Sequence, residues 1–91
     1  MELFWTSKAS ADLVRLHDFL AAVNPRAAAR TVQALAAAPQ RLLEQPRIGE
    51  RIQEFDPRDV RRILVGKYEM RYEISSSQIY VLRLWHTRED R

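Results

Sequence analysis

No cysteine occurs among the 91 residues, which excludes disulfide staples, thiolate nucleophiles and cysteine-based zinc sites together. Glycine is almost missing, with two residues, and no glycine-rich phosphate loop or serine-centred nucleophile elbow is present. The two histidines have no Asp/Glu cluster at ligand spacing around them, so neither a metal centre nor a cofactor is expected. No apolar run approaches the ~20 residues of a membrane span, and the N-terminus lacks the basic-then-apolar layout of a signal peptide. The expectation is a cytoplasmic protein with no membrane partner. Lysine is scarce too: of fifteen basic residues only Lys8 and Lys67 are lysine.

What remains is globular in composition. At 46% hydrophobic and 30% charged residues in 10.7 kDa, the chain fits one domain, residues 1–91, with a single modest core. The net charge of +3 is small and built almost wholly from arginine. Arginine suits bidentate contacts with phosphate or carboxylate, although GC-rich coding enriches arginine and alanine equally well.

Glu2-Leu3-Phe4-Trp5 is short and aromatic and reads as a strand. Thr6 or Ser7 can cap the helix that follows, where Leu13, Leu16, Leu20 and Val23 recur at helical spacing from about Lys8 to Val23. Asn24-Pro25 is a stop and a new start, with Asn as cap and Pro at the first helical position. The second helix carries Ala27, Ala28, Val32, Leu35 and Ala36 on its apolar side, so that the two helices can pack closely as a hairpin. Pro39 should kink or restart it before Leu42 and Leu43. From Arg51 the period changes to two: a weak strand from Arg51 to Phe55, a turn at Asp56–Asp59, then strands Val60–Val65, Tyr68–Ile74 and Gln78–His86. The order β-α-α-β-β-β-β predicts an α+β domain, a helical hairpin on one face of a small antiparallel sheet.

Two helices cover one sheet face, so function is expected on the other. Continuous alternation puts Glu69, Arg71 and Glu73 on one side of the fourth strand, and groups Arg83 and Trp85 with Ile79 and Val81 on the fifth. Arg71 and Arg83 interrupt otherwise apolar strands, and a central-strand charge needs a partner or solvent. Either Glu69 and Glu73 neutralise these arginines across strands, or Arg61, Arg62, Arg71 and Arg83 form an anion-binding face. His86 closes the last strand, where it can act as a general base or simply bond a nearby group. Asp12 and Asp18, six apart on a helix, do not form a catalytic pair.

These residues line up with a known family. The opening FWTSKASADLVRLHDFLAAVNPRAAAR resembles the RelE/ParE superfamily of bacterial toxins, with its aromatic strand, Ala-then-Asp-Leu helix start and Asn-Pro-x-Ala-Ala second start. Leu42, Pro46 and Gly49 match its Leu-x-x-x-Pro-x-x-Gly passage. Arg61 or Arg62, Tyr68, Tyr72, His86 and Arg88 match its arginine, Tyr-x-x-x-Tyr and terminal His-x-Arg elements. The resemblance spans nearly the whole chain and implies the toxin half of a type II toxin–antitoxin pair, in a hetero-oligomer with a cognate antitoxin.

Two targets divide that superfamily. ParE-type members inhibit DNA gyrase by protein–protein contact; RelE-type members are metal-independent endoribonucleases that cut mRNA on the ribosome. The nuclease assignment implies His86 as base with Arg88 and Arg71 as phosphate clamps. Against it, Glu69 stands where RelE-type toxins commonly carry arginine, and Thr87 follows His86 where many carry tyrosine. The ending His86, Arg88, Asp90 looks more like ParE-type members, so gyrase is the expected target, contacted through Arg61, Arg62, Tyr68 and Arg83. The antitoxin is expected on the apolar rim of the hairpin, at Leu16, Leu20, Leu35 and Leu42.

Overall fold

The N-terminal strand β1 (Glu2–Trp5) leads into a helical hairpin, α1 (Ser7–Ala21) and α2 (Pro25–Ala37), followed by the short α3 (Gln40–Glu44). Then come β2 (Glu50–Arg51), a single 3-10 turn at Gln53–Phe55, and the long strands β3 (Asp59–Val65), β4 (Tyr68–Ser75) and β5 (Gln78–His86). This is a computed structural model, and it describes residues 1–89; Asp90 of the family-like ending lies outside them. Both predicted caps form: Thr6 Oγ1 accepts from Ala9 N–H at 3.1 Å and Asn24 Oδ1 from Ala27 N–H at 3.1 Å. The Thr6 hydroxyl also donates to the Val81 carbonyl at 3.0 Å, fastening the start of α1 to the last strand.

The sheet has five strands in the order β1-β5-β4-β3-β2. β2 through β5 are antiparallel as expected, but β1 joins the sheet beside β5 in parallel, so the sheet is mixed. The helices carry the chain from β1 to β2 at the opposite edge, and the meander from β2 to β5 brings it back beside β1 in the same direction, the long connection that a parallel pair requires. Two local expectations change. α1 stops at Ala21, and Val23 is solvent-exposed beyond it rather than on the apolar stripe. The expected strand Arg51–Phe55 keeps only its first residue in the sheet, because Gln53–Phe55 winds into the 3-10 turn.

The core lies between hairpin and sheet. Ala9 and Leu16 of α1, Leu35 of α2 and Leu42 of α3 meet Ile63, Met70, Tyr72, Ile79, Val81 and Leu84. Tyr72 is wholly buried, and its hydroxyl donates to the Pro46 carbonyl at 2.7 Å and accepts from Gly49 N–H at 2.9 Å. Burial pushes its pKa up, with the Gly49 bond and the nearby Arg61 charge opposing. A Cβ at Gly49 would stand 2.6 Å from that hydroxyl and 2.8 Å from the Arg62 carbonyl, so the Pro-x-x-Gly passage exists to let this loop close over the tyrosine.

Candidate functional site

A register shift decides which face the arginines occupy. Arg71 pairs with Arg83, yet Tyr72 pairs with Val81, so Leu82 is an extra residue on β5. Such a bulge reverses the alternation beyond it. Ile79 and Val81 face the helices before it, and Leu84 does so after it, while Arg83 and Trp85 turn to the opposite face. The expected grouping of Arg83 and Trp85 with Ile79 and Val81 is therefore corrected. On the face away from the hairpin, Arg62, Arg71 and Arg83 stand in one row across β3, β4 and β5.

Every arginine of that row is engaged. Arg62 Nε donates to Glu50 at 2.7 Å, and Arg71 Nη2 to Glu69 at 3.4 Å. Arg83 holds Asp12 of α1 with two bonds, at 2.8 and 3.2 Å. Aromatic rings cover the guanidinium faces: Arg71 lies 4.6 Å from the Trp85 centroid and 5.4 Å from Phe55, and Arg83 lies 5.0 Å from Trp85. Such contacts add to ion pairing when they exclude water. Arg61 points the other way, with Nε on Asp59 at 2.9 Å and Nη1 on the Gly49 carbonyl at 3.0 Å, and so anchors the loop that crosses Tyr72. Glu73 pairs with Arg58, not with Arg71 or Arg83.

A second locus lies where α1 passes the ends of β4 and β5. Here a groove of about 680 Å³ has Leu16, Phe19, Leu20 and Tyr68 as its apolar lining and Arg15, Lys67, His86, Arg88 and Glu89 around them. Tyr68 and His86, opposite each other in the sheet, meet edge to face at 5.2 Å. His86 Nδ1 accepts from the Arg88 backbone N–H at 3.1 Å, and His86 N–H donates to Glu89 Oε1 at 2.8 Å. Glu89 Oε2 receives Arg15 Nη1 at 2.6 Å, tying the C-terminal turn to α1. Five of the predicted residues, Leu16, Leu20, Tyr68, His86 and Arg88, thus come together at one groove, whereas Arg61, Arg62, Arg71 and Arg83 belong to ion pairs elsewhere. Of the leucines expected to receive an antitoxin, Leu35 and Leu42 are fully buried core residues and Leu16 nearly so. Apolar surface is instead offered to this groove by the half-buried Leu20 and the neighbouring Phe19, which is 75% exposed.

Comparison with known proteins follows the same lines. Residues 3–91 match the family described as ParE toxin of type II toxin–antitoxin system, parDE. The chain belongs to the ParE toxin family. Toxin RelE2 of Caulobacter vibrioides is 29% identical over 85 residues, covering 93% of each chain. A chain from the chromosomal ParDE toxin–antitoxin system of P. aeruginosa superposes with a TM-score of 0.80 at 25% identity, covering 94% of this chain and 95% of that one. This protein is accordingly a toxin of the RelE/ParE superfamily with that superfamily's α+β fold.

The toxin's organising residue, Asp12, escaped the sequence analysis. It is 5% exposed and accepts from Arg83, from Leu84 N–H at 2.9 Å and from Arg15 at 3.4 Å. Burial opposes its ionisation, but the bonds from Arg83 and Leu84 and the charges of Arg83 and Arg15 outweigh burial and hold its pKa below the usual carboxylate range. β1 pairs with β5 only as far as Val81, so beyond it Asp12 takes the Leu84 N–H and Arg15 donates to the Leu84 carbonyl at 3.3 Å. Two helix side chains thereby cap the uncovered strand edge. One signal was legible: Asp12 shares the helical phase of Ala9 and Leu16, and a carboxylate on a buried stripe demands a cation.

Proposed function

We propose that this ParE-family toxin acts by binding, with DNA gyrase as its target, and is neutralised by a cognate antitoxin seated on the α1 groove. The reading rests above all on His86. Its Nδ1 accepts a backbone N–H, a pattern that assigns the proton of the neutral imidazole to Nε2. Neither ring nitrogen then offers a free lone pair, so the ring is poorly set to take a proton from a ribose hydroxyl. Arg71 and Arg83 support the same reading, since each is bound to a carboxylate and an aromatic ring and neither is free to clamp a phosphate. Supercoiling of relaxed plasmid by purified gyrase is the test: inhibition by micromolar toxin, reversed by antitoxin, is expected. Uninhibited supercoiling overturns the reading.

The ribonuclease reading has one observation in its favour, the gathering of Tyr68, His86 and Arg88 around one groove. It requires ribosome-bound mRNA as partner and His86 in the other tautomer. Mapping of 5′ ends after toxin induction decides it: new ends within translated messages support cleavage, and their absence removes it.

A further inference from the structure

A sheet edge is a row of unpaired backbone donors and acceptors, and folded proteins guard it. Most of the edge in this chain is guarded. β2 is two residues long, and both are charged and ion-paired, Glu50 with Arg62 and Arg51 with Asp56. β3 runs past β2 only over 63–65 before the turn at Gly66. On the other side, β5 beyond Val81 is capped at Leu84 by Asp12 and Arg15. β1 has none of these protections. It is the outermost strand on its side, and Glu2 is the one charge among its four residues. The Glu2 N–H donates to the Ser77 carbonyl at 3.2 Å and the Thr6 N–H to the Val81 carbonyl at 3.1 Å. The even-numbered residues therefore face β5, and Leu3 and Trp5 turn their N–H and C=O groups to the open side. The Leu3 and Trp5 side chains pack on the core. Phe4 lies on the opposite face, stacked on Tyr80 at 5.5 Å and 39% exposed, beside a Met1 that is 55% exposed.

We propose that β1 is a self-pairing edge: a second copy of this chain adds its own β1 antiparallel to this one, joining two five-stranded sheets across a two-fold axis at Phe4. Such an axis demands a patch that matches itself. In the register centred on Phe4, Leu3 exchanges both backbone bonds with Trp5 of the second copy, and Trp5 does so with Leu3 of the second copy. Every outward group of both residues is then satisfied. Phe4 meets Phe4 of the second copy at a position without backbone bonds, where side chains approach closest, and the two Phe4–Tyr80 stacks join into one row of rings. Glu2 comes opposite Thr6, so no charge faces its like. Centring on Leu3 instead sets Glu2 against Phe4, and centring on Trp5 calls on Ser7, which already belongs to α1. A strand from an unrelated protein can use the same backbone groups, but the side chains of β1 match their own order reversed, and this selects a second copy. The seam is short, so the contact falls at the weak end of interface sizes. No residue of β1 lines the α1 groove, and the proposal stands apart from the antitoxin and gyrase assignments.

Analytical ultracentrifugation of the purified, antitoxin-free toxin over a range of concentrations tests the proposal. A monomer–dimer equilibrium with a Kd of about 100 µM is expected. Phe4→Lys is expected to weaken it at least ~10-fold, because two like charges then stand face to face at the axis. Leu64→Lys, at the far edge of the sheet, and Phe19→Glu, on α1, are expected to leave it unchanged. Melting temperatures establish that each variant is folded. The register is read separately by cross-linking, which the absence of cysteine from the chain makes clean. Phe4→Cys places two thiols on Cα atoms about 4.5 Å apart, within disulfide range, whereas Glu2→Cys leaves them about 13 Å apart along the seam. Mild oxidation is expected to link Phe4→Cys at least ~10-fold faster than Glu2→Cys. Equal cross-linking of the two, or dissociation caused by Leu64→Lys or Phe19→Glu and not by Phe4→Lys, would assign the contact to another surface and overturn the proposal. A chain that remains monomeric at ~1 mM overturns it as well, and leaves the β1 edge to a strand from a different protein.

Discussion

Replacing Asp12 by alanine removes the junction between α1 and β5, and its cost can be worked from the structure. The carboxylate is 5% exposed and joins Arg83, the Leu84 N–H and Arg15. Breaking a buried ion pair from one side costs about 3–5 kcal/mol, because the other charge is left uncompensated. Here that figure must be reduced, since the Arg83 side chain is 37% exposed and recovers part of its hydration. The Leu84 N–H recovers nothing, being held in a buried bond, and an orphaned buried donor costs about 1–3 kcal/mol. Together these place Asp12→Ala at about 2–4 kcal/mol, and thus a fall in Tm of roughly 10–25 °C for a domain of this size. Asp12→Asn keeps an acceptor for Leu84 and should lose about half as much.

The pH dependence follows from the same carboxylate. Its folded pKa lies below the ordinary 3.8, so its contribution is complete above that value and is lost as pH falls from there through the lower folded pKa. Thermal unfolding by circular dichroism, repeated from neutral pH downwards, should show the wild type and Asp12→Asn converging in acid. An Asp12→Ala chain melting within a few degrees of wild type at neutral pH would refute the assignment of Asp12 as the junction.

Tyr72→Phe leaves the Gly49 N–H and the Pro46 carbonyl without their buried partner; a loss of about 1–3 kcal/mol in chemical denaturation is expected. Because the Tyr72 pKa is raised, wild-type stability should also decline as pH climbs above 10, and Tyr72→Phe should lack that decline. Gly49→Ala drives a methyl group into the Tyr72 hydroxyl and the Arg62 carbonyl and should cost about 1–3 kcal/mol, read as a lowered denaturation midpoint. Phe19→Glu alters a side chain that is largely in water, so stability should change by less than ~0.5 kcal/mol. The isolated toxin should become more soluble and its complex with antitoxin weaker, as gel filtration and a binding titration would show.

Much of this architecture can be read directly from the residues. Thr6 and Asn24 cap their helices because each is a hydroxyl or amide placed just before an apolar period, and the alternating spacing from Val60 onward marks the three long antiparallel strands. The bulge at Leu82 could not be read, because Tyr80, Leu82 and Leu84 alternate without a break and only pairing with β4 reveals the extra residue. From that one residue came the misplaced face of Arg83 and Trp85. Neutralisation of the sheet arginines was legible only in part: Glu69 does reach Arg71, but Arg62 and Arg83 are matched from outside the strands considered. Their partners Glu50 and Asp12 come from β2 and α1, distant in sequence and outside any strand alternation. Leu35 and Leu42 lie in the core and not on a rim for a related reason: helical period identifies an apolar face, but not which of its members the sheet covers. Tyr68, His86 and Arg88 were found as motif residues, and their meeting in one groove follows from the pairing of Tyr68 with His86.

Placing the charges changes what the +3 of this chain means. The arginines that dominate the sheet are spent within the protein, and of the cations left over among the described residues Lys67 and Arg88 stand beside an apolar groove. An apolar groove with charged residues at its rim suits a protein partner. The central claim is therefore that the toxin acts by holding gyrase, and calorimetric titration of purified gyrase with the toxin tests it most directly. Saturable binding with a Kd of about 1 µM or tighter, abolished when the toxin is first loaded with antitoxin, is the predicted result. Absence of any binding to gyrase by folded, antitoxin-free toxin would contradict it.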